Sequence, residues 1–323
     1  MQFMVEKKTE GIIMIPAKEC DLFHRTEDEV KAVRQVFGLT EKNIKEGVDS
    51  IMEWFQKQPH LVHIEMSREA MEMMIIIAKG SIERAKEKID NFYKYRFYEP
   101  EMLQNRNPIL SADKVFDLYK VLALPKLQDN RRIYIVRFGK DVSKFDIQAF
   151  FRRLFMLLDL RMLYDYMAGD IWIVDLENVG WAQILSQNPL VFVKVAQFFM
   201  KCLNWRIYGI HVINLSCSTS ITQRLINFFK QFVTSIIMDR IVIHENLEDL
   251  YNYVPKECLP KDYGGNELSS CELEEITENV YRNPKIIEYL LECSKMVSNE
   301  SLRPRDENSE EFLSGTFRQL EVD

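Results

Sequence analysis

The most constraining feature of this chain is a series of short apolar runs, rich in β-branched residues, that alternate with long helical stretches. The runs are Ile133–Phe138, Ile171–Val174, Ile210–Leu215 and Ile241–His244. Strands that are apolar at consecutive positions are typical of parallel sheets, which are buried on both faces. The helical stretches between the runs can supply the crossovers that parallel neighbours need. We therefore predict an α/β domain built on a mostly parallel sheet.

The residues before this series have the pattern of a small helical bundle. Ile44, Val48, Ile51 and Phe55 recur at helical spacing behind Thr40, which predicts an amphipathic helix that begins there. The predicted boundaries are an extension over 1–38, a helical domain over 39–104, a connector over 105–129, an α/β domain over 130–270, and a C-terminal helix with an acidic tail over 271–323.

Composition narrows the class of protein. The 323 residues are 47% hydrophobic and carry a formal net charge of −7, which argues against a dedicated nucleic-acid binder. The six cysteines show no C-x-x-C spacing, so we expect no zinc or other metal site. The N-terminus does not resemble a signal peptide, and no run of about 18 apolar residues occurs. We expect a cytoplasmic monomer.

Motifs of catalysis are missing from the sequence. It contains no P-loop, no G-x-G-x-x-G and no G-x-S-x-G nucleophile elbow. Asp175 and Glu177 follow a predicted strand, where α/β active sites often lie, but an acidic pair there more often caps the next helix. His211 and His244 lie in or beside strands, and we interpret them as buried, hydrogen-bonded histidines. We expect no catalytic residue and no cofactor.

The segment Ile221–Met238 carries the most informative pattern. Its apolar residues recur at helical spacing and form one continuous stripe. They are Ile221, Leu225, Phe228, Phe229, Phe232, Val233 and Ile236. Such a stripe has two interpretations that periodicity cannot separate, namely a helix packed on the core or a lid over an apolar cavity.

Several segments resemble, in their order and spacing, those of one known family. They are Leu124–Leu127, Arg131–Arg132, Asp175–Glu177, Arg206–Asn214, Val254–Gly265 and Gly315–Leu320. They are similar to segments of the CRAL-TRIO family of lipid-binding proteins, and within it to arthropod members that resemble α-tocopherol transfer protein and cellular retinaldehyde-binding protein. The resemblance covers the chain from about Leu39 to its end.

The resemblance implies a CRAL-TRIO domain, in which helices line a mostly parallel sheet around an apolar cavity, behind a helical N-terminal domain. It also implies that the segment Ile221–Met238 gates the cavity, with Ile221, Leu225, Phe228, Phe229 and Phe232 on its apolar face. The predicted wall of the cavity is Phe155, Leu158, Ile173, Val195, Phe198, Phe199, Leu203, Ile210 and Val212. The expected ligand is a small hydrophobic molecule, such as a tocopherol, retinoid, carotenoid or similar lipid.

Some members of the family bind phosphoinositide head groups through a basic patch, which implies transient contact with a membrane surface. Arg206 and Arg240 fit that patch. Ile236 stands where other members have a lysine, and Met74–Lys79 replaces an arginine-rich helix end. We therefore predict weak phosphoinositide dependence.

Two other functions remain open at this point. The same fold with a filled cavity could serve as a signalling or scaffold protein that makes protein–protein contacts. An enzyme that acts on a bound lipid is the other, although the sequence offers no nucleophile–base pair for it.

Overall fold

The computed structural model describes residues 20, 22–23, 25–110, 115–203, 206–215, 219–231 and 235–304. Its N-terminal helices are α1 (Glu27–Val36), α2 (Glu41–Gln56), α3 (Arg68–Ile77) and α4 (Ile82–Tyr98). Thr26 and Thr40 cap α1 and α2, because each hydroxyl accepts the backbone N–H three residues further on, within a capping box.

Helix α3 is the centre of this bundle. Met71 and every residue from Met73 to Ile77 are buried, so the helix is apolar on nearly all sides. A helix of that kind must be surrounded by other elements. It packs against α2 and α4, and also against α6 (Ile147–Tyr164), a helix of the following domain.

The second domain is built on a five-stranded sheet within the described residues. Its strands are β1 (Tyr119–Ala123), β2 (Arg131–Phe138), β3 (Gly169–Asp175), β4 (Ile207–Ile213) and β5 (Ile241–Ile243), in that spatial order. β1 and β2 are antiparallel, and the other neighbours are parallel. The predicted mostly parallel sheet is confirmed.

Strand β1 lies within the segment 105–129, which the sequence analysis assigns to the connector. The strand pairs with β2 through a tight hairpin. Asp129 and Asn130 at its tip have φ of 48° and 62°. Two successive positive φ values are typical of hairpin turns whose twist matches the strands, and Asp and Asn tolerate that region.

The remaining α-helices are α5 (Val115–Leu118), α6 (Ile147–Tyr164), α7 (Trp181–Leu185), α8 (Pro189–Phe198), α9 (Thr219–Phe229), α10 (Ser235–Met238), α11 (Leu247–Leu250), α12 (Ser270–Arg282) and α13 (Pro284–Cys293). The predicted helix over Ile221–Met238 is therefore not continuous. α9 ends at Phe229, because the N–H of Gln231 bonds the carbonyl of Phe228 in a tightened final turn.

The two faces of the sheet are packed by different parts of the chain. Side chains alternate between the faces along each strand. Ile133 and Ile173 share one hydrophobic cluster with Leu250 and Leu273, and we name this side the α11 face. Tyr134 and Val136 share another cluster with α6, and we name this side the α6 face.

Buried ion pairs join the two domains. Asp159 of α6 binds Arg96 of α4 at 2.5 Å and also binds Arg106, and all three side chains are almost fully buried. Arg96 additionally donates a hydrogen bond to the carbonyl of Cys293 at 2.7 Å. One carboxylate thus holds α4, the segment after it and α13 against α6.

A second buried carboxylate, Asp165, lies just beyond the end of α6. It accepts hydrogen bonds from Arg132 of β2 at 3.0 Å, from Arg161 at 2.9 Å and from the Tyr134 hydroxyl at 2.8 Å. Burial alone would raise the pKa of Asp165, but the two guanidinium groups lower it below its ordinary value. Asp165 thereby fixes the end of α6 to the sheet.

Candidate functional site

On the α6 face, β2 is well covered, whereas β3, β4 and β5 are only half covered. Trp172, Ile210 and Ile241 form one row across β3, β4 and β5, because they are register partners. All three are half-buried, whereas Tyr134, which continues the row on β2, is fully buried. Helix α6 covers β2 but leaves the later strands only partly covered.

A second row repeats this arrangement one step along the strands. Val174, Val212 and Ile243 are register partners and are half-buried, while Val136 beside them on β2 is buried. We call the six half-buried side chains of β3–β5 the apolar strip. They are Trp172, Val174, Ile210, Val212, Ile241 and Ile243. The strip is wholly apolar, except for the indole N–H of Trp172, so it suits a hydrophobic molecule.

A line of aromatic rings connects the α6 face to α9. Phe138 of β2 contacts Phe150 of α6 at 5.9 Å between ring centroids, and Phe151 contacts Phe192 of α8 at 6.2 Å. Phe192 then meets Phe228 of α9 at 5.9 Å. Since Phe138 lies on the α6 face, this line places α6, α8 and α9 on the same side of the sheet as the apolar strip.

The structure divides the predicted cavity residues among different places. Only Ile210 and Val212 belong to the apolar strip. Ile173 lies on the α11 face, because neighbouring residues of a strand point to opposite sides. The rest belong to or pack on the cluster that contains the N-terminal bundle: Phe155, Leu158, Val195, Phe198, Phe199 and Leu203.

Phe198 shows why those helical residues are placed there. Its ring lies 4.6 Å from Tyr95 and 5.9 Å from Phe92, both on α4, and 4.6 Å from Phe155. These rings fill the contact between the two domains. Trp172 and Ile241 are not among the predicted wall residues, and their place beside Ile210 follows from the pairing of β3, β4 and β5 and not from alternation within one strand.

The predicted gate residues are only partly described. Phe228 is half-buried, and its ring meets Phe192 edge to face at 89°. Ile221, Leu225 and Phe229 belong to α9, but their side chains lie outside the described residues. Phe232 lies outside them altogether. The assignment of these residues to a gate stays a prediction.

The predicted head-group residues lie close together at the amino end of β4. Arg240 donates a hydrogen bond from Nη1 to the carbonyl of Ile207. Arg206 is exposed, and its guanidinium stands 4.8 Å from the ring centroid of Tyr208. Arg206 also lines a small cleft with Lys79, which approaches from the N-terminal bundle.

The residues that α/β enzymes often use are occupied in packing. Asp175 accepts hydrogen bonds from the Tyr263 hydroxyl at 2.6 Å, from Asn214 Nδ2 at 2.8 Å and from the Glu177 N–H at 3.0 Å. His211 Nδ1 and His244 Nε2 are 3.0 Å apart, and both residues are buried. The interpretation of these histidines as buried and hydrogen-bonded is confirmed.

The described residues offer neither a metal-binding group nor a membrane-spanning helix. Nowhere among them do three or more His, Cys, Asp or Glu side chains come together in a group that could hold a metal ion. In the same part of the chain, no helix is both long enough and apolar enough to cross a membrane.

Two known domain families match separate parts of the chain. Residues 120–265 match the CRAL/TRIO domain, and residues 40–112 match the Pinta-like UBA domain. The chain is 24% identical over 193 residues to the alpha-tocopherol transfer protein-like proteins of Pongo abelii and Homo sapiens, which covers 58% of this chain and 55% of each relative. The chain thus spans about half the length of the curated relatives that it matches.

The mouse alpha-tocopherol transfer protein-like protein is 23% identical over 193 residues. A crystal structure of Sfh5 covers 77% of this chain and 92% of its own, with 13% identity and a TM-score of 0.43. The expected likeness to arthropod members finds no support among these relatives. Residues 120–265 nevertheless match the CRAL/TRIO domain, which confirms the resemblance to that family.

Proposed function

We propose that this chain binds a small hydrophobic molecule on the apolar strip and carries it between membranes. The observation that carries the proposal is the strip itself, which is a continuous apolar surface. The sheet and helix residues around it leave its six side chains only half-buried. The CRAL/TRIO domain match over residues 120–265 and the similarity to alpha-tocopherol transfer protein-like proteins support it. Tocopherols, retinoids, carotenoids and similar lipids are the candidate ligands.

Burial of apolar surface is sufficient to hold such a ligand. A molecule of this size exposes roughly 400 Å² of apolar surface, and its removal from water is worth about 10 kcal/mol at about 25 cal/mol per Å². Association costs several kcal/mol of that. Sub-micromolar affinity therefore needs no strong polar contact, which agrees with the apolar character of the strip.

We further propose that α9 and the residues after it gate the strip. The support is the apolar stripe of this segment and the contact between Phe192 and Phe228, which joins α9 to α8 on the α6 face. Apolar side chains of the segment would be stabilised at a membrane interface, which favours an open state there.

Recognition of a phosphoinositide is proposed to be weak. Arg240 already binds a backbone carbonyl, and Arg206 stacks beside Tyr208, so neither guanidinium is presented as a dedicated phosphate clamp. Lys79 beside Arg206 adds a cation to the same cleft, and a general attraction to anionic membranes fits this arrangement better.

A transfer assay tests the proposal. Purified chain is loaded with the apolar fluorescent probe N-phenyl-1-naphthylamine and mixed with phosphatidylcholine vesicles, and the probe's emission follows its movement. We expect saturable binding and protein-dependent transfer. A chain that binds none of several apolar probes, but captures protein partners, would favour the scaffold function instead. Conversion of a bound lipid would favour an enzyme.

A further inference from the structure

A pair of buried histidines joins the two strands that flank the proposed gate. His211 lies in the middle of β4, and His244 follows the last residue of β5. Their ring centroids are 5.2 Å apart and the nitrogens 3.0 Å apart, so the nitrogens lie between the rings and face each other. One nitrogen therefore donates its N–H to the lone pair of the other.

Among the described residues, one aromatic ring lies against the pair and one carboxylate acts on its charge. His211 and His244 are 4% and 5% exposed, and the ring of Tyr253 stands 5.1 Å and 5.4 Å from theirs. Asp249 of α11 is the charged group that acts on His244, and it favours the protonated form. The His211 ring lies against Gly209, where an added Cβ would come within 2.5 Å of Nε2.

The pair lies on the two strands that flank the proposed gate segment in the sequence. β4 precedes this segment and β5 follows it. The two strands pair over a short seam in which Ile210 is the partner of Ile241 and Val212 the partner of Ile243. Backbone bonds at its ends run from Ile210 N to Arg240 O and from His244 N to Val212 O, both at 2.9 Å. The imidazole contact joins the same two strands on the α11 face.

We propose that the His211–His244 contact is a proton-controlled clamp on the gate, which holds the strands together at neutral pH and lets the gate open when the local pH falls. The contact accepts one added proton but not two, because two N–H groups would then oppose each other. This inference rests on the proposed function, since it adds regulation to the gate of the same site.

The direction of the pH effect follows from proton linkage. Burial, together with His244, lowers the pKa of His211 to about 4, and burial lowers the pKa of His244 despite Asp249. In an open, hydrated state both pKa values return toward about 6.5. The open state then binds protons more readily, so opening becomes up to about tenfold more favourable per pH unit below 6.5 for each histidine.

The test compares ligand release at pH 7.5 and pH 5.5, using the full chain loaded with N-phenyl-1-naphthylamine and neutral phosphatidylcholine vesicles. For the wild-type chain we expect release to be about tenfold faster at pH 5.5. The double variant His211→Asn, His244→Gln keeps a neutral hydrogen bond, and its release rate should change less than about twofold. His63→Gln, at an exposed histidine of the N-terminal domain, should behave like the wild type.

Wild-type release that ignores pH, or a double variant that retains the full pH response, would overturn the clamp. A readout without ligand covers the case in which the double variant fails to fold. Hydrogen exchange of residues 219–231 in the unloaded wild-type chain, corrected for intrinsic rates, should rise about tenfold at pH 5.5, and unchanged exchange rejects the clamp. Failure of the chain to bind any probe rejects the proposed function instead, while the exchange result still decides the clamp.

Discussion

Phe192 of α8 and Phe228 of α9 meet edge to face, with their ring centroids 5.9 Å apart and their planes at 89°. This geometry is favourable for aromatic rings, and such a pair is worth about 0.5–1.5 kcal/mol beyond the area that it buries. A gate formed by α9, as proposed above, must break this contact when it opens.

Phe228→Asp should break this contact and open the proposed gate. A carboxylate cannot stay in the aromatic contact, so we expect the half-life of bound N-phenyl-1-naphthylamine to fall by roughly tenfold while the fold survives. Stopped-flow fluorescence measures the half-life, and circular dichroism checks the fold. Asn227→Asp adds the same charge at the exposed neighbouring position and should leave the half-life unchanged. Equal half-lives for both variants would remove Phe228 from the gate.

Ile210→Ala and Ile173→Ala should separate ligand binding from stability. Ile210 lies half-buried in the apolar strip, whereas Ile173 is fully buried on the opposite face. We expect Ile210→Ala to weaken probe binding about fivefold, which corresponds to about 1 kcal/mol of lost apolar contact. Ile173→Ala should lower the free energy of unfolding by about 2–5 kcal/mol with little effect on the dissociation constant. Fluorescence titration and urea unfolding measure the two quantities, and the reverse pattern would place the ligand on the α11 face.

Asp165→Asn should destabilise the chain strongly. The substitution removes the buried carboxylate that Arg132 and Arg161 share, although Arg161 keeps its ion pair with Asp170. Removal of one partner of a buried pair costs about 3–5 kcal/mol. Urea unfolding at pH 7 measures the loss. Asp28→Asn, at a fully exposed ion pair, serves as the control and should change the free energy of unfolding by less than about 1 kcal/mol.

The same carboxylate predicts how stability responds to acid. The pKa of Asp165 in the folded chain lies below its ordinary value of about 3.9, so its contribution is complete at neutral pH. That contribution disappears as the pH falls from about 5 through the lowered pKa, because the unfolded chain takes up the proton first. As the pH is lowered from 7 to 3, the free energy of unfolding should therefore fall less steeply for Asp165→Asn than for the wild type. Parallel curves would contradict this assignment.

Arg206→Ala should have little influence on transfer to phosphoinositide-containing vesicles. The guanidinium of Arg206 is exposed and stacks beside Tyr208. We therefore expect the ratio of the transfer rate to these vesicles over the rate to phosphatidylserine vesicles of equal charge to change by less than about twofold in the variant. A strong preference for phosphoinositide that disappears in Arg206→Ala would show that the head-group site is intact after all.

The sequence predicts the sheet well because its strands carry dense local signals. Ile133–Phe138 and Ile171–Val174 are apolar at consecutive positions, and both coincide with described strands. β1 was not predicted because Tyr119–Ala123 is short. Its pairing with β2 also depends on the turn at Asp129 and Asn130, which lies several residues beyond the strand.

The site is harder to predict because it depends on which face each side chain occupies after folding. Ile173 and Val174 are neighbours of similar character, yet the first is in the core of the α11 face and the second lies in the apolar strip. Phe198 has the composition expected of a cavity wall, but α4 supplies Tyr95 and Phe92 to fill the space around it. Those contacts join segments about a hundred residues apart, and no local pattern reports them.

Native mass spectrometry of the purified 323-residue chain, combined with organic extraction and identification of what is released, tests most directly whether a small hydrophobic molecule binds to the apolar strip. We expect a mass above that of the 38.3 kDa chain by one small apolar molecule, and the loss of that excess after extraction. Ile210→Trp, which fills the apolar strip, should remove the excess mass while the chain stays folded. A chain that carries no such molecule, and that takes up none when apolar lipids are supplied, would contradict the proposed function.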